Sequence, residues 1–229
     1  MRLNLVALSA GLLLTFSVQA QESYKVEPID TPAPSTVPSA FAEALEPKGY
    51  KILDAEGNPF VEIWLRKEIP ATGKPSGSKG PIQFPILASG EALGVLQFAT
   101  EGHDYRDQPI AKGTYTMRYG LQPVNGDHLG VSPFRDYTLL LPVSKDKELK
   151  PPGRKALQEK SAEAAGTSHP AVFLLIAPPA SAAKSAPKMI QDMEKNLWSV
   201  VVPLNIKPQG ESATVVLPIQ IVVVGAAAA

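Results

Sequence analysis

An antiparallel β-sandwich of the immunoglobulin-like kind, all-β, with about seven to nine strands and one short surface helix, is the fold class this sequence predicts. Three observations carry it. Apolar and polar residues alternate at period two in several short stretches. Gly, Pro, Asn and Asp separate those stretches, and no strand–helix–strand alternation appears. Proline is abundant, 23 residues of 229, while only one stretch has the composition of a helix.

The clearest strand follows Gly113. Tyr115, Met117, Tyr119 and Leu121 fall on one face and Thr114, Thr116, Arg118 and Gln122 on the other. This predicts a half-buried strand with its hydroxyl and guanidinium groups facing water. Tyr137, Leu139 and Leu141 alternate in a second strand, where Leu140 indicates cover on both faces. Between them lies a polar loop of roughly a dozen residues, near the length above which loops tend to carry function. It opens on the turn signal Asn125-Gly126 and holds Asp127, His128, Arg135 and Asp136. That loop is the leading site candidate.

In chain order, residues 1–20 combine one cation, Arg2, with an apolar run and a small-residue ending, Val18-Gln19-Ala20. This is the pattern of a cleaved signal peptide, with the mature chain starting near Gln21. Periplasmic or secreted localisation follows as an expectation, with no stable membrane insertion after cleavage. The chain has no cysteine, so disulfides cannot staple it. A mature length of roughly two hundred residues is enough for one packed core. Acidic and basic residues balance at 22 each, so nothing in the charge points to nucleic acid or an anionic membrane.

Residues 21–49 open with the Pro-rich piece IDTPAPSTVPSA, expected to be extended, and FAEALEP, which suits a turn or two of helix. Residues 50–225 are assigned to a single β-sandwich domain, and 226–229 to a tail. Within it PFVEIWLRKEI reads as a strand whose polar face carries Trp64, a residue expected to be covered. ATGKPSGSKGP is a surface loop that lacks the spacing of a phosphate-binding loop. EALGVLQFATE is a further strand, ending at the polar cluster EGHDYRD. The one helical composition, RKALQEKSAEAA, stops at Gly166. AVFLLIAP reads as a buried strand, IQDMEKNLW as either helix turn or loop, and WSVVVPL and ATVVLPIQIVVVG as the last strands. In the latter, Pro218 marks a bulge or an edge position.

The opening GTYTMRY resembles the G-x-Y strand start common in immunoglobulin-like and fibronectin-type sandwiches. The blocks EIWLRK, GTYTMRYGLQPVNGDHLGVSPFRDYTLL and TSHPAVFLL are similar to secreted bacterial proteins of unassigned function. The first resemblance implies a fold, the second no activity.

The only imidazoles are His103, His128 and His169. With Asp104 and Asp127 beside two of them, they are the candidate ligands for a divalent metal, although no metal-ligand spacing such as H-E-x-x-H is present. Arg135-Asp136 and Arg106-Asp107 are expected to pin loops to the sheet. There is no cysteine nucleophile and no G-x-S-x-G elbow, so no residue is assigned a catalytic role and no cofactor is implied. Paired carboxylates for glycoside hydrolysis depend on the fold and stay open. The expectation is an exported, soluble binding or structural module of the cell envelope, its partner another envelope protein or a small ligand. The second reading is a metal-dependent site, hydrolytic in kind, built from the loop His and Asp residues at one end of the sandwich.

Overall fold

The structure, a computed structural model, describes residues 23–124 and 132–227. Residues 1–20, the Asn125-Gly126 turn signal, Asp127 and His128 lie outside the described residues. In chain order the strands are β1 (Lys25–Ile29), β2 (Gly49–Leu53), β3 (Pro59–Leu65), β4 (Ile69–Ala71), β5 (Ala92–Phe98), β6 (Gly102–His103) and β7 (Pro109–Ile110). They continue with β8 (Gly113–Leu121), β9 (Asp136–Pro142), β10 (Val172–Ile176), β11 (Lys188–Asp192), β12 (Leu197–Pro208) and β13 (Val215–Val224). Among the described residues three helices accompany them: α1 (Ser39–Ala44), α2 (Arg154–Ala165) and α3 (Ala180–Ala183).

The chain is mostly β, as its alternation predicts, but it is not a two-sheet sandwich. Eleven strands form one hydrogen-bonded sheet in the order β1-β2-β3-β5-β8-β9-β10-β13-β12-β11, with β4 parallel beside β12. The reason lies in β10. Its first half, Val172–Leu174, pairs with β9, and its second half, Leu175 and Ile176, pairs with β13. A sandwich would break the ladder at that corner; here one strand serves both halves, and the sheet curls into a half-barrel. Short-range pattern could not disclose this, because a strand that changes partners alternates like any other.

The inner face closes on one core. Ile63, Leu96, Met117, Leu140, Phe173, Val202 and Ile219, from seven different strands, belong to a single cluster of buried residues. The outer face is also covered in three places. α1 lays Phe41 against Trp64 and Val95; α2 lays Leu157 against Leu139 and Leu141; the loop after β6 lays Tyr105 beside Tyr137, Leu174 and Val222.

This second layer overturns the expected exposure of the polar face of β8. Thr116 and Arg118 are fully buried, like their apolar neighbours Met117 and Tyr119. Trp64 is covered as expected, and its indole N–H donates to the carbonyl of Thr31 at 2.8 Å. The Pro-rich segment is therefore part of the fold: β1 pairs with β2, and residues 30–38 run over Trp64 into α1. The ambiguous IQDMEKNLW resolves into β11 and a turn to β12, with Asn196 at φ 51°. Gly166 ends α2 in the left-handed conformation, φ 63°, as its position predicts.

Candidate functional site

The loop from Gln122 to Arg135 leaves β8 and returns on β9, and its neck is closed by protein alone. Gln122 N–H donates to the carbonyl of Arg135 at 2.7 Å, and Arg135 Nε donates back to the carbonyl of Gln122 at 2.8 Å. Arg135 N–H also donates to the carbonyl of Pro81. Asp136 completes the clamp. Fully buried, it accepts from the backbone N–H of Gln83 (2.7 Å) and Phe84 (2.9 Å) and from the Tyr119 hydroxyl (2.6 Å). Arg135 and Asp136 thus pin the loop and hold the 81–84 segment across its base. Burial, followed by the hydrogen bond to Asp136, pushes the Tyr119 hydroxyl pKa far above its ordinary value. Burial likewise pushes Tyr137 up to about 12.

The cluster after β5 is built the same way. Asp104 is fully buried and accepts four hydrogen bonds, from Arg106 N–H (2.8 Å), Gln108 N–H (2.9 Å), Gln108 Nε2 (2.8 Å) and Val172 N–H (2.9 Å). A carboxylate offers about four lone-pair positions, so these bonds occupy its acceptor capacity. Its role in this structure is to fasten the β6–β7 hairpin onto β10.

His103, at the end of β6, and His169, on the loop before β10, are both exposed, and Gln108 joins their segments by donating to the carbonyl of Pro170 and accepting from the Thr167 hydroxyl. His103 Nδ1 lies 2.8 Å from Asp107, and His169 Nδ1 lies 3.1 Å from the Ser168 hydroxyl. His169 lines an open concavity of about 790 Å³ beside α2, with Lys155, Glu159, Glu163 and Thr167; His103 does not line it. Among the described residues no group of three or more His, Asp or Glu side chains is placed to hold a metal ion. Of the five candidate ligands, then, Asp104 is consumed in the framework, His103 and His169 sit on segments that Gln108 joins, and Asp127 and His128 lie outside the described residues.

The most extensive polar constellation was not legible as a site at all. Arg118 points outward from β8 into a closed layer, where its Nε lies 2.6 Å and its Nη2 2.9 Å from the two oxygens of Asp146. Nη1 donates to the carbonyls of Gly90 and Leu149, Nη2 to that of Glu148, and the Phe41 ring stacks 5.4 Å away. All five guanidinium donors are satisfied. Thr116 donates to the same carboxylate at 2.6 Å. With all the guanidinium donors taken and Asp146 accepting three bonds, this buried network positions segment 146–149 on the sheet. The one hint in the sequence was an arginine in the middle of an otherwise clean strand.

Together these features define a cysteine-free, mostly β chain whose polar clusters brace loops against a curled sheet. No helix among the described residues is long and apolar enough to cross a membrane. Compared with protein-family models, with curated proteins and with solved structures, the chain finds no match.

Proposed function

We propose that the chain is an exported binding or structural module of the cell envelope, periplasmic or secreted after cleavage near Gln21. The observation that carries this reading is the clamp at the neck of the Gln122–Arg135 loop. Two framework strands, a buried carboxylate and a reciprocal Gln122–Arg135 pair fix both ends of a polar loop. A rigid sheet holding the ends of a long loop is the usual way recognition residues are presented. The partner is another envelope protein or a small ligand, met by that loop. A photo-crosslinking residue at Val124, 65% exposed at the loop base, tests this in the producing cell. One defined crosslinked species is expected, lost when residues 125–131 are replaced by a Gly/Ser run of equal length while the melting temperature holds. A crosslink that survives the replacement, or none at all, overturns the proposal.

A metal-dependent site is the second reading, favoured by how His103 and His169 are oriented. Each has a polar partner at Nδ1, so Nε2 is the nitrogen that a metal would meet, as in common imidazole–metal sites. Zn²⁺, Cu²⁺ or Ni²⁺ bound to the native state must raise the thermal midpoint. A midpoint unmoved by all three removes this reading and leaves the first untouched.

A further inference from the structure

The β12–β13 hairpin runs past its neighbours on both sides. On the β13 side, β10 pairs only with Gln220 and Ile221, so Val215–Ile219 has no strand beside it. On the β12 side, β11 ends opposite Val201 and β4 begins opposite Ile206, leaving a gap of four residues, 202–205, on a strand that α3 also touches and where Asn205 Nδ2 donates to Glu46. The open stretch of β13 reads VVLPI, with Val216 54% exposed. A β-branched, apolar strand with a free edge is the feature that invites pairing with another chain.

One proline stands on the open β13 edge and one in the short β12 gap, and the two are partners: Pro203 lies directly opposite Pro218 in the antiparallel register. Residues facing each other in such a ladder either exchange N–H···O bonds or turn both N–H groups outward. Two prolines cannot exchange bonds, so theirs is an outward-facing pair, and by alternation Asn205 and Val216 face outward with it. The outward position of Gln209, whose N–H donates to Ala71 on the β4 side, fits the same alternation. In each stretch without a neighbouring strand there is thus a pyrrolidine ring where an incoming strand would require a donor.

We infer that Pro203 and Pro218 form a paired block against strand addition, which keeps a second copy of this chain from extending the sheet at the β12–β13 hairpin. The block acts on both edges at one level, so that neither face of the hairpin offers consecutive donors.

The test uses the full mature chain, with association measured by light scattering as protein concentration is raised. Pro218→Val and the double change Pro203→Val, Pro218→Val restore the missing donors without adding charge. Both are expected to shift the apparent mass upward with concentration relative to wild type, the double variant more. Amide exchange at Val216 should slow in the associated form. Pro218→Lys restores the N–H but sets a charge on the edge, and should behave as wild type does. Pro218→Val is read on its own, so a double variant that fails to fold leaves the decision to the single one. A folded Pro218→Val protein that matches wild type in mass at every concentration overturns the inference.

Discussion

Arg118 and Asp146 form a two-pronged ion pair, at 2.6 and 2.9 Å, sealed between the outer face of the sheet and the 146–149 segment. Both are essentially without solvent contact. Removing one member leaves the other charged and unpaired in a dry place, which typically costs about 3–5 kcal/mol. Asp146→Ala should therefore lower the urea midpoint steeply. Replacing both members by apolar residues of similar size should cost less than the two single changes added together. If Asp146→Ala proves nearly neutral in equilibrium unfolding, the pair is open to water.

Thr116 and Met117 are neighbours on β8 that face opposite layers, and both are fully buried. Met117→Ala should cost about 2–5 kcal/mol as a cavity in the main core. Thr116→Ala should cost about 1–3 kcal/mol, because buried Asp146 loses a hydrogen-bond donor. Alternation alone would predict a negligible cost for the threonine. Chemical denaturation of the two variants decides between these expectations.

Alkali should unfold the protein through its tyrosines. Burial raises Tyr137 up to about 12, and Tyr119 is raised further by burial and its bond to Asp136. A raised folded-state pKa gives stability that is complete below the unfolded value, near pH 10, and is lost as pH climbs through the folded one. Stability should thus be flat across neutral pH and fall from about pH 10 upward. Tyr119→Phe should flatten that fall. Tyrosinate absorbance measured alongside circular dichroism checks it: late ionisation should coincide with loss of structure.

Trp64 holds the Pro-rich segment to the sheet through its bond to Thr31 and its contact with Val37 and Phe41. Trp64→Phe keeps most of the ring but removes the N–H, at a cost of about 1 kcal/mol. Local opening of residues 30–38 should increase more than global unfolding does. Limited proteolysis should then cut within that segment in the variant at protease levels that leave wild type intact.

Short apolar stretches bounded by turn residues were enough to place β3, β5, β8 and β9, because each packs one face on the common core, although the outer faces are covered too. Gly166 marked the end of α2, and Trp64 its own burial, since a left-handed cap and a large ring each have few alternatives. Pro218 marked a bulge or an edge position, and it lies in the part of β13 that β10 does not reach. What the sequence could not say is where distant segments come to rest. Arg118 meets Asp146 across 28 residues, and Asp136 meets Gln83 and Phe84 across more than fifty. Each polar side chain reads as exposed until a segment lands on it. The sandwich gave way to a curled sheet for the same reason: whether β10 shares its length between β9 and β13 is settled by packing of the whole core. Only the folded chain decided which carboxylates brace the framework, because a hydrogen bond's partner is a matter of position in space, and short-range pattern carries none.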